Sequence, residues 1–366
     1  MGVKLHDIII SNNIDFHYLK GKILAIDTPN IIMSLLNFTR QTTITTQTNL
    51  FFDRTQRVIN HLYGILYRVK FFYSKKIFPI FCFDGKVSEL KRTITKDQLN
   101  DYRFAKERYQ KAVEQGNRGI AKEIAISQEF FWPYIIEESK HLIGLLGIPY
   151  IESPASAEAQ CAALVKEKVA HFSNSQDYDS FLFGCPHIIR NLSKSLRKKI
   201  KGKWIYKKVI PQAINLYENL KILGIDQFQL VDLGILIGTD YHPGIQNIGP
   251  KIGLNLIKEY QNIESIKSNT REKYDFSQLD QETINRVREI YLLPDIISKK
   301  YLNSLIWTNP DKQNILTFLC KNHFLNQDRV ENNLDKLVNE YQNSLNYIQN
   351  APKKPQTIQL TLESLI

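Results

Sequence analysis

Ile23-Leu24-Ala25-Ile26-Asp27 and Ile77-Phe78-Pro79-Ile80-Phe81-Cys82-Phe83-Asp84 are two apolar runs, rich in β-branched and aromatic residues, that each stop on an aspartate. Runs of this length and composition read as buried strands. Between them Val58, Leu62, Ile65, Leu66 and Val69 recur at helical spacing, which predicts a helix over residues 58–72. Strand, helix, strand implies a parallel sheet with helices on its faces. A third strand is expected at Ile148-Pro149-Tyr150-Ile151. Ligands of such sheets gather at the carboxyl ends of the strands, so two strands that end on Asp point to a site there.

The surrounding chain supports this α/β reading. Of its 366 residues 43% are hydrophobic, enough for a large core in one big domain or two intimate ones. The net charge of +11 favours a polyanionic partner, nucleic acid first and an anionic membrane surface second. An uncommitted basic surface fits the charge equally well. Cys82, Cys161, Cys185 and Cys320 are scattered without a C-x-x-C pair, which indicates neither a zinc module nor a disulfide framework and suits a reducing interior. The start, Met1-Gly2-Val3-Lys4-Leu5, lacks the layout of a signal peptide, and His6 stands where a myristoylation motif wants Ser or Thr. No apolar run reaches the ~18 residues of a membrane helix. An intracellular, soluble protein is expected.

Residues 86–130 carry Lys86, Lys91, Arg92, Lys96, Arg103, Lys106, Arg108, Lys111, Arg118 and Lys122 among seven acids, with Phe104 and Tyr109 interleaved. The segment reads as helical and largely solvated, either a nucleic-acid arch or a polar surface helix. The run containing Arg197, Lys198, Lys199, Lys201, Lys203, Lys207 and Lys208 suits a phosphate-tracking surface or an ordinary solvated hairpin. After Asp240 the pattern is mostly helical. Ala351-Pro352-Lys353-Lys354-Pro355-Gln356 has linker chemistry, and the apolar-polar tail behind it suggests a docking peptide or a frayed end.

The acids recur in similar settings. Asp27 and Asp84 end strands, Glu158 lies where a helix opens, and Asp240 follows the apolar run Leu236-Ile237-Gly238-Thr239. Asp177 and Asp179, read on an extended segment, are expected on one face because the strand period is two. Each acid alone is as well explained as a cap or loop carboxylate. Together they suit Mg²⁺ or Mn²⁺, hard cations that want oxygen ligands. Two such ions ~4 Å apart stabilise both the attacking and the leaving oxygen in phosphodiester hydrolysis. No histidine arrangement suggests zinc.

Gly-Lys-Ile-Leu-Ala-Ile-Asp27, Phe-Cys-Phe-Asp84-Gly-Lys, Ala-Glu158-Ala-Gln-Cys-Ala, Asp177-Tyr-Asp179-Ser-Phe-Leu-Phe-Gly and Leu-Ile-Gly-Thr-Asp240-Tyr, in this order and spacing, resemble the flap endonucleases of archaea and eukaryotes, members of the structure-specific 5′ nuclease family. The similarity runs from Met1-Gly2-Val3 through about residue 325 and resumes in the tail. The resemblance implies a PIN-like α/β nuclease fold: a parallel-rich central sheet flanked by helices, a helical arch insertion and a helix-turn-helix DNA-binding element. It implies one nuclease domain over 1–330, divided into an N-terminal region 1–98, an arch 86–130, an internal region 131–260 with the helix-turn-helix element, and a helical C-terminal region 261–330. A helix, linker and clamp-binding tail would occupy 331–366.

The same resemblance implies 5′ flap cleavage with 5′–3′ exonuclease activity in DNA replication and repair, by two Mg²⁺ per site with Mn²⁺ as substitute. Asp27, Asp84, Glu158, Asp177, Asp179 and Asp240 would hold the metal. Asp27, Asp84, Glu158 and Asp179 would be catalytic, with Lys91 offsetting charge that develops on the phosphoryl oxygens. Gly2, Arg68, Lys91, Gly244, Ile245, Asn247, Gly249 and Lys251 would contact DNA, the last five in a turn that uses a monovalent cation, K⁺, to grip the downstream duplex. Gln359, Leu362, Leu365 and Ile366 would dock on a sliding clamp. The implied partners are branched DNA and the clamp, with no membrane and a monomeric state, in the cytoplasm of an archaeon or the nucleus of a eukaryote.

Several positions depart from the family pattern. Ser156 stands where a second glutamate is usual, Met33 where a tyrosine stacks on a flap base, Gln98 where the arch has a second arginine, and Ile59-Asn60 where a Thr-Ser pair is usual. Leu365-Ile366 replaces an aromatic pair in the tail. Loss of a carboxylate is expected to weaken metal binding. A working enzyme with a thinned site and a slow or inactive paralogue that still binds branched DNA and the clamp are both consistent with these changes.

Overall fold

The computed structural model describes residues 3–37, 50–85, 96–192, 195–200, 203–302 and 305–350. Among the described residues nine strands are present: β1 (Asn12–Asn13), β2 (Ile23–Asp27), β3 (Phe78–Phe83), β4 (Tyr150–Glu152), β5 (Phe172–Asn174), β6 (His187–Arg190), β7 (Ser195–Ile200), β8 (Lys203–Lys208) and β9 (Gln212–Asn215). Seven of them form one sheet in the order β1-β9-β6-β5-β2-β3-β4. The five from β6 to β4 are mutually parallel, and β9 and β1 add an antiparallel edge. The α/β class read from the sequence therefore holds, with a mixed edge.

β2 and β3 are central because nearly every residue in them is buried. A parallel strand covered on both faces needs a continuous apolar run rather than alternation. Leu24 and Ile26 join one core layer, beside the helices Asn60–Ser74 and Gln128–Leu145; Ala25 joins the other, beside the helix Ala157–Lys166. Pro79 is tolerated inside β3 because β4 pairs only with Phe81, Cys82 and Phe83, so no partner strand calls for its missing N–H. Its carbonyl accepts from Trp307 Nε1 at 2.8 Å. The predicted helix over 58–72 appears as Asn60–Ser74, and the third strand as Tyr150–Glu152.

The helix Gln327–Asn350 crosses the 330/331 division expected from the resemblance and packs on Asn60–Ser74. Val330, Leu334, Leu337 and Tyr341 are buried in the first core layer, and Ser344 Oγ donates to the Tyr73 carbonyl at 2.8 Å. Up to Asn350 the chain thus belongs to the body of the domain. The basic run near residue 200 is a two-stranded hairpin, β7 paired with β8. Within 86–130, residues 86–95 lie outside the described residues, while Lys96–Glu114 and Arg118–Ala125 are helices. Most of their described positions are exposed, as expected, apart from one buried stripe, Tyr102, Ala105, Tyr109 and Ala112 against Phe130, and Tyr109 Oη donates to the Thr55 carbonyl at 2.6 Å.

A buried polar cluster lies under these helices. Asp53 is paired with Arg57 at 2.8 Å, and His323 Nε2 is 2.6 Å from Glu138. His61 is fully buried with its ring edge toward Tyr134, and neither ring nitrogen has a hydrogen-bond partner among the described residues. Burial, reinforced by the charge of His323, pushes its pKa down to about 3.

Candidate metal and nucleic-acid site

Asp27, Asp84, Glu158 and Asp177 lie near one another where β2, β3 and β5 end. Asp27 is the last residue of β2; the helix Thr28–Asn37 begins at once, and Asp27 Oδ1 accepts from Asn30 N at 3.4 Å. Asp84 follows β3, and its Oδ1 accepts from Ala157 N at 2.8 Å, in the first turn of Ala157–Lys166. Glu158 is the next residue of that helix, and acids in a first turn are favoured by the helix dipole. Asp177 Oδ2 accepts from Asn30 Nδ2 at 2.7 Å. Asp179 accepts from Val3 N at 3.2 and 3.3 Å and from Tyr291 Oη at 3.4 Å.

Ser175, just beyond β5, meets two of these carboxylates and the backbone of a third acid. Its hydroxyl donates to Asp27 Oδ2 at 3.0 Å, lies 3.5 Å from Glu158 Oε1 and accepts from Asp177 N at 3.2 Å. Asp27 is 3% exposed, and its pKa is raised to about 7, first by burial and then by the charge of Asp84. No local signal along the chain marks Ser175, Asn30 or Tyr291. Tyr291 in particular reads as one more apolar residue on the stripe Ile284, Val287, Tyr291.

One expectation needs correction. Asp177 and Asp179 do not share the face of a strand. β5 ends at Asn174, and Asp179 opens the short helix Asp179–Leu182, because Phe181 and Leu182 bury fully there and Gly184, at φ 69°, ends the turn. The pair therefore diverges, Asp177 toward Asn30 and Asp179 toward Val3 and Tyr291. The apolar run before Asp240 is the helix Gln227–Ile237, stopped by Gly238 at φ 103°. Asp240 sits between Thr239, hydrogen-bonded to Tyr291, and Tyr241, whose ring lies 5.4 Å from that of Tyr291.

The donors fit a hard divalent cation. They are carboxylates with one hydroxyl, and the raised Asp27 records negative charges crowded together in a buried place. Among the described residues no three His, Cys, Asp or Glu side chains form a ready-made cage. Ser156, in place of a glutamate, has a structural use: its Oγ accepts from Ala159 N at 3.1 Å and caps the helix Ala157–Lys166.

The helix-turn-helix element consists of Gln227–Ile237, a loop, and Pro250–Tyr260 with Gly249 as N-cap and Pro250 at the first position. Its glycines differ in kind. A Cβ on Gly244, at φ 86°, would fall 2.5 Å from Gly238 N, so the fold requires that glycine. At Gly249 a Cβ would meet nothing within 4 Å, and the backbone is extended, so neither packing nor strain requires it. Asn247, at φ 66°, and Lys251 are exposed. Ile245 differs from expectation: its side chain is buried and its N–H donates to the Leu236 carbonyl at 2.7 Å, leaving neither for a ligand. Arg68 Nη1 donates to the Leu192 carbonyl at 2.5 Å, and Met33 is exposed on the same helix as Asn30. Gly2, Lys91, Gln359, Leu362, Leu365 and Ile366 lie outside the described residues.

No helix among the described residues is long and apolar enough to cross a membrane. The XPG N-terminal domain matches residues 1–103, which hold Asp27 and Asp84, and the XPG I-region matches 147–240, which hold the other four acids. The chain is 33% identical over 337 residues to flap endonuclease 1 of Methanosarcina acetivorans, covering 92% of this chain and 96% of that protein. It is 35% identical to flap endonuclease 1 of Thermococcus onnurineus, covering 92% and 94%. The solved structure of flap endonuclease-1 from Methanococcus jannaschii superposes with a TM-score of 0.67 at 28% identity, covering 93% of this chain and 99% of that one. With its acids at the strand ends of this sheet and relatives matched along nearly their whole length, the chain belongs to the flap endonuclease family of metal-dependent, structure-specific nucleases.

Proposed function

We propose that the chain hydrolyses DNA phosphodiesters at the base of 5′ flaps, with Asp27, Asp84, Glu158, Asp177, Asp179 and Asp240 holding two divalent ions, Mg²⁺ or Mn²⁺. The observation that carries the reading is the crowding of carboxylates beyond β2 and β3: the Ser175 hydroxyl donates to Asp27 and lies 3.5 Å from Glu158, and Asp27 feels the charges of Asp84 and Asp177. The ions, when bound, supply charge stabilisation for the attacking and leaving oxygens. Asp27 must be ionised for this role, and a bound cation favours that form.

Duplex DNA docks on the loop before Pro250. Open space at Gly249 lets a phosphate reach the backbone, and Asn247 and Lys251 flank it. K⁺ at this loop, Lys91 at the scissile phosphate, contacts from Gly2 and Arg68, and docking of Gln359, Leu362, Leu365 and Ile366 on a sliding clamp complete the proposal. The protein acts as a monomer inside the cell. A second reading, a slow or inactive paralogue that binds branched DNA and the clamp, draws support from Ser156, which serves as a helix cap where a carboxylate is usual.

A labelled double-flap DNA incubated in Mg²⁺ and in Mn²⁺, beside Asp179→Ala, separates the two. Metal-dependent cutting at the flap base, lost in the variant while binding persists, supports the endonuclease. Tight binding without product in either metal supports the paralogue, and cutting retained by Asp179→Ala rejects the metal assignment.

A further inference from the structure

Tyr291 touches both a metal-holding carboxylate and the start of the duplex-docking loop. It is 1% exposed on the helix Gln281–Leu292. Its hydroxyl donates to Asp179 Oδ1 at 3.4 Å, and Thr239 is hydrogen-bonded to the same oxygen. Its ring packs on Phe183 at 4.7 Å and meets Tyr241 edge-on at 5.4 Å and 82°. Phe183 ends the helical turn that begins with Asp179. Thr239 and Tyr241 open the loop that leads to Gly249.

One helical turn earlier on the same face stands Arg288. Its guanidinium holds Asp232, inside the helix Gln227–Ile237, through Nε at 2.7 Å and Nη2 at 2.7 Å. It also holds Glu264 of the helix Ile263–Thr270 at 2.6 and 2.9 Å. Asp232 Oδ2 in turn accepts from Ile263 N at 3.1 Å. Arg288 thus fixes the helix Gln281–Leu292 to the first helix of the duplex-docking element, and Tyr291 fixes it to the catalytic carboxylate. A helix clamped at both points behaves as a strut of set length.

We infer that Tyr291 is a positioning residue, which holds the Asp179 carboxylate for metal and registers it against the duplex-docking loop. The inference rests on the proposed flap-cleaving function for its second half only. Groups that hydrogen-bond a metal-binding carboxylate fix its orientation, and their loss typically lowers metal affinity or activity about 10–100-fold. Tyr291 needs no contact with DNA for this. Its removal is expected to act on the metal and on where the cut falls, and to spare DNA affinity.

The test is Tyr291→Phe, which keeps the ring contacts and removes the hydroxyl. Mn²⁺ binding to the free protein is titrated by calorimetry, DNA affinity is measured in EDTA, and single-turnover cutting is mapped at nucleotide resolution. The expected result is Mn²⁺ affinity lowered about tenfold, cutting slowed about tenfold and spread to a neighbouring phosphodiester, with DNA affinity and melting temperature unchanged. Mn²⁺ affinity within twofold of the parent overturns the inference. So does a parallel loss of Mn²⁺ affinity, DNA affinity and melting temperature, which would mark Tyr291 as ordinary core. If the parent protein cuts no flap, the functional proposal fails, while the Mn²⁺ titration still decides what Tyr291 does for Asp179.

Discussion

Replacing Ser156 by Glu puts back the carboxylate the family pattern leads one to expect, and the structure sets what this costs. Ser156 is 3% exposed, and its hydroxyl caps the helix Ala157–Lys166 by accepting from Ala159 N. Losing such a cap costs about 1 kcal/mol. The new carboxylate also enters a crowded site. Asp84 is bonded to Ala157 N, one residue away, and Asp27 already sits near pKa 7 from burial and from Asp84. One further close negative charge, at roughly one pKa unit of repulsion, adds about 1–2 kcal/mol. The sum is about 2–3 kcal/mol without metal. At about 2.1 cal/mol/K of unfolding entropy per residue, a chain of this length loses about 3–4 °C in melting temperature. Metal reverses the sign only through tighter binding by the variant, since a hundredfold lower dissociation constant returns about 2.7 kcal/mol relative to the parent when both are saturated. Differential scanning fluorimetry in EDTA and in saturating Mg²⁺ reads both terms. Ser156→Glu should melt lower than the parent in EDTA and level with it or higher in Mg²⁺, with faster flap cleavage. An equal loss in both buffers would refute the reasoning, because residue 156 would then not face the metal-holding acids.

Two other sites probe the framework. His61→Leu removes a buried imidazole with no hydrogen-bond partner among the described residues and should stabilise the protein, more at low pH. In the fold His61 stays neutral down to about pH 3, whereas the unfolded chain takes up a proton below about 6.5, so stability from the neutral ring is present above 6.5 and lost as pH falls. The gap between variant and parent in urea melts should widen by about 2 kcal/mol from pH 8 to pH 5, and a gap that stays constant would contradict the buried, neutral assignment. Gly249→Ala should leave melting unchanged and weaken duplex binding several-fold by fluorescence anisotropy, whereas Gly244→Ala should lower the melting temperature through its clash with Gly238. Equal melting losses at both positions would show that Gly249 too is required by the fold.

The features legible in the sequence were those whose environment is set locally. β2 and β3 announced themselves because burial on both faces demands unbroken apolar runs, and each ends on its acid. The helix opening at Glu158 was likewise written in neighbouring residues. What escaped notice depends on distant partners. β1 is two exposed asparagines, a strand only because β9 pairs with it. Asp177 and Asp179 looked extended because an alternating acid pair is the same string in a strand and at a helix start; the buried Phe181 and Leu182 decide for the helix. Ser175, Asn30 and Tyr291 acquire meaning only when β5, the helix after β2 and the helix Gln281–Leu292 meet.

The order of the strands also bears on how the protein is made. β2 lies between β3, which follows it along the chain, and β5, which follows only after the helices Lys96–Glu114 and Gln128–Leu145. Asp179 waits further for Tyr291. Contacts so distant in sequence form late and slowly, and the chain emerges from the ribosome from its N-terminal end. A product halted between Asp240 and the helix Gln281–Leu292 carries all six acids but lacks the residue that braces Asp179. Unfinished chains, released beside the nucleic acids of the translation machinery, would on this view be poor nucleases.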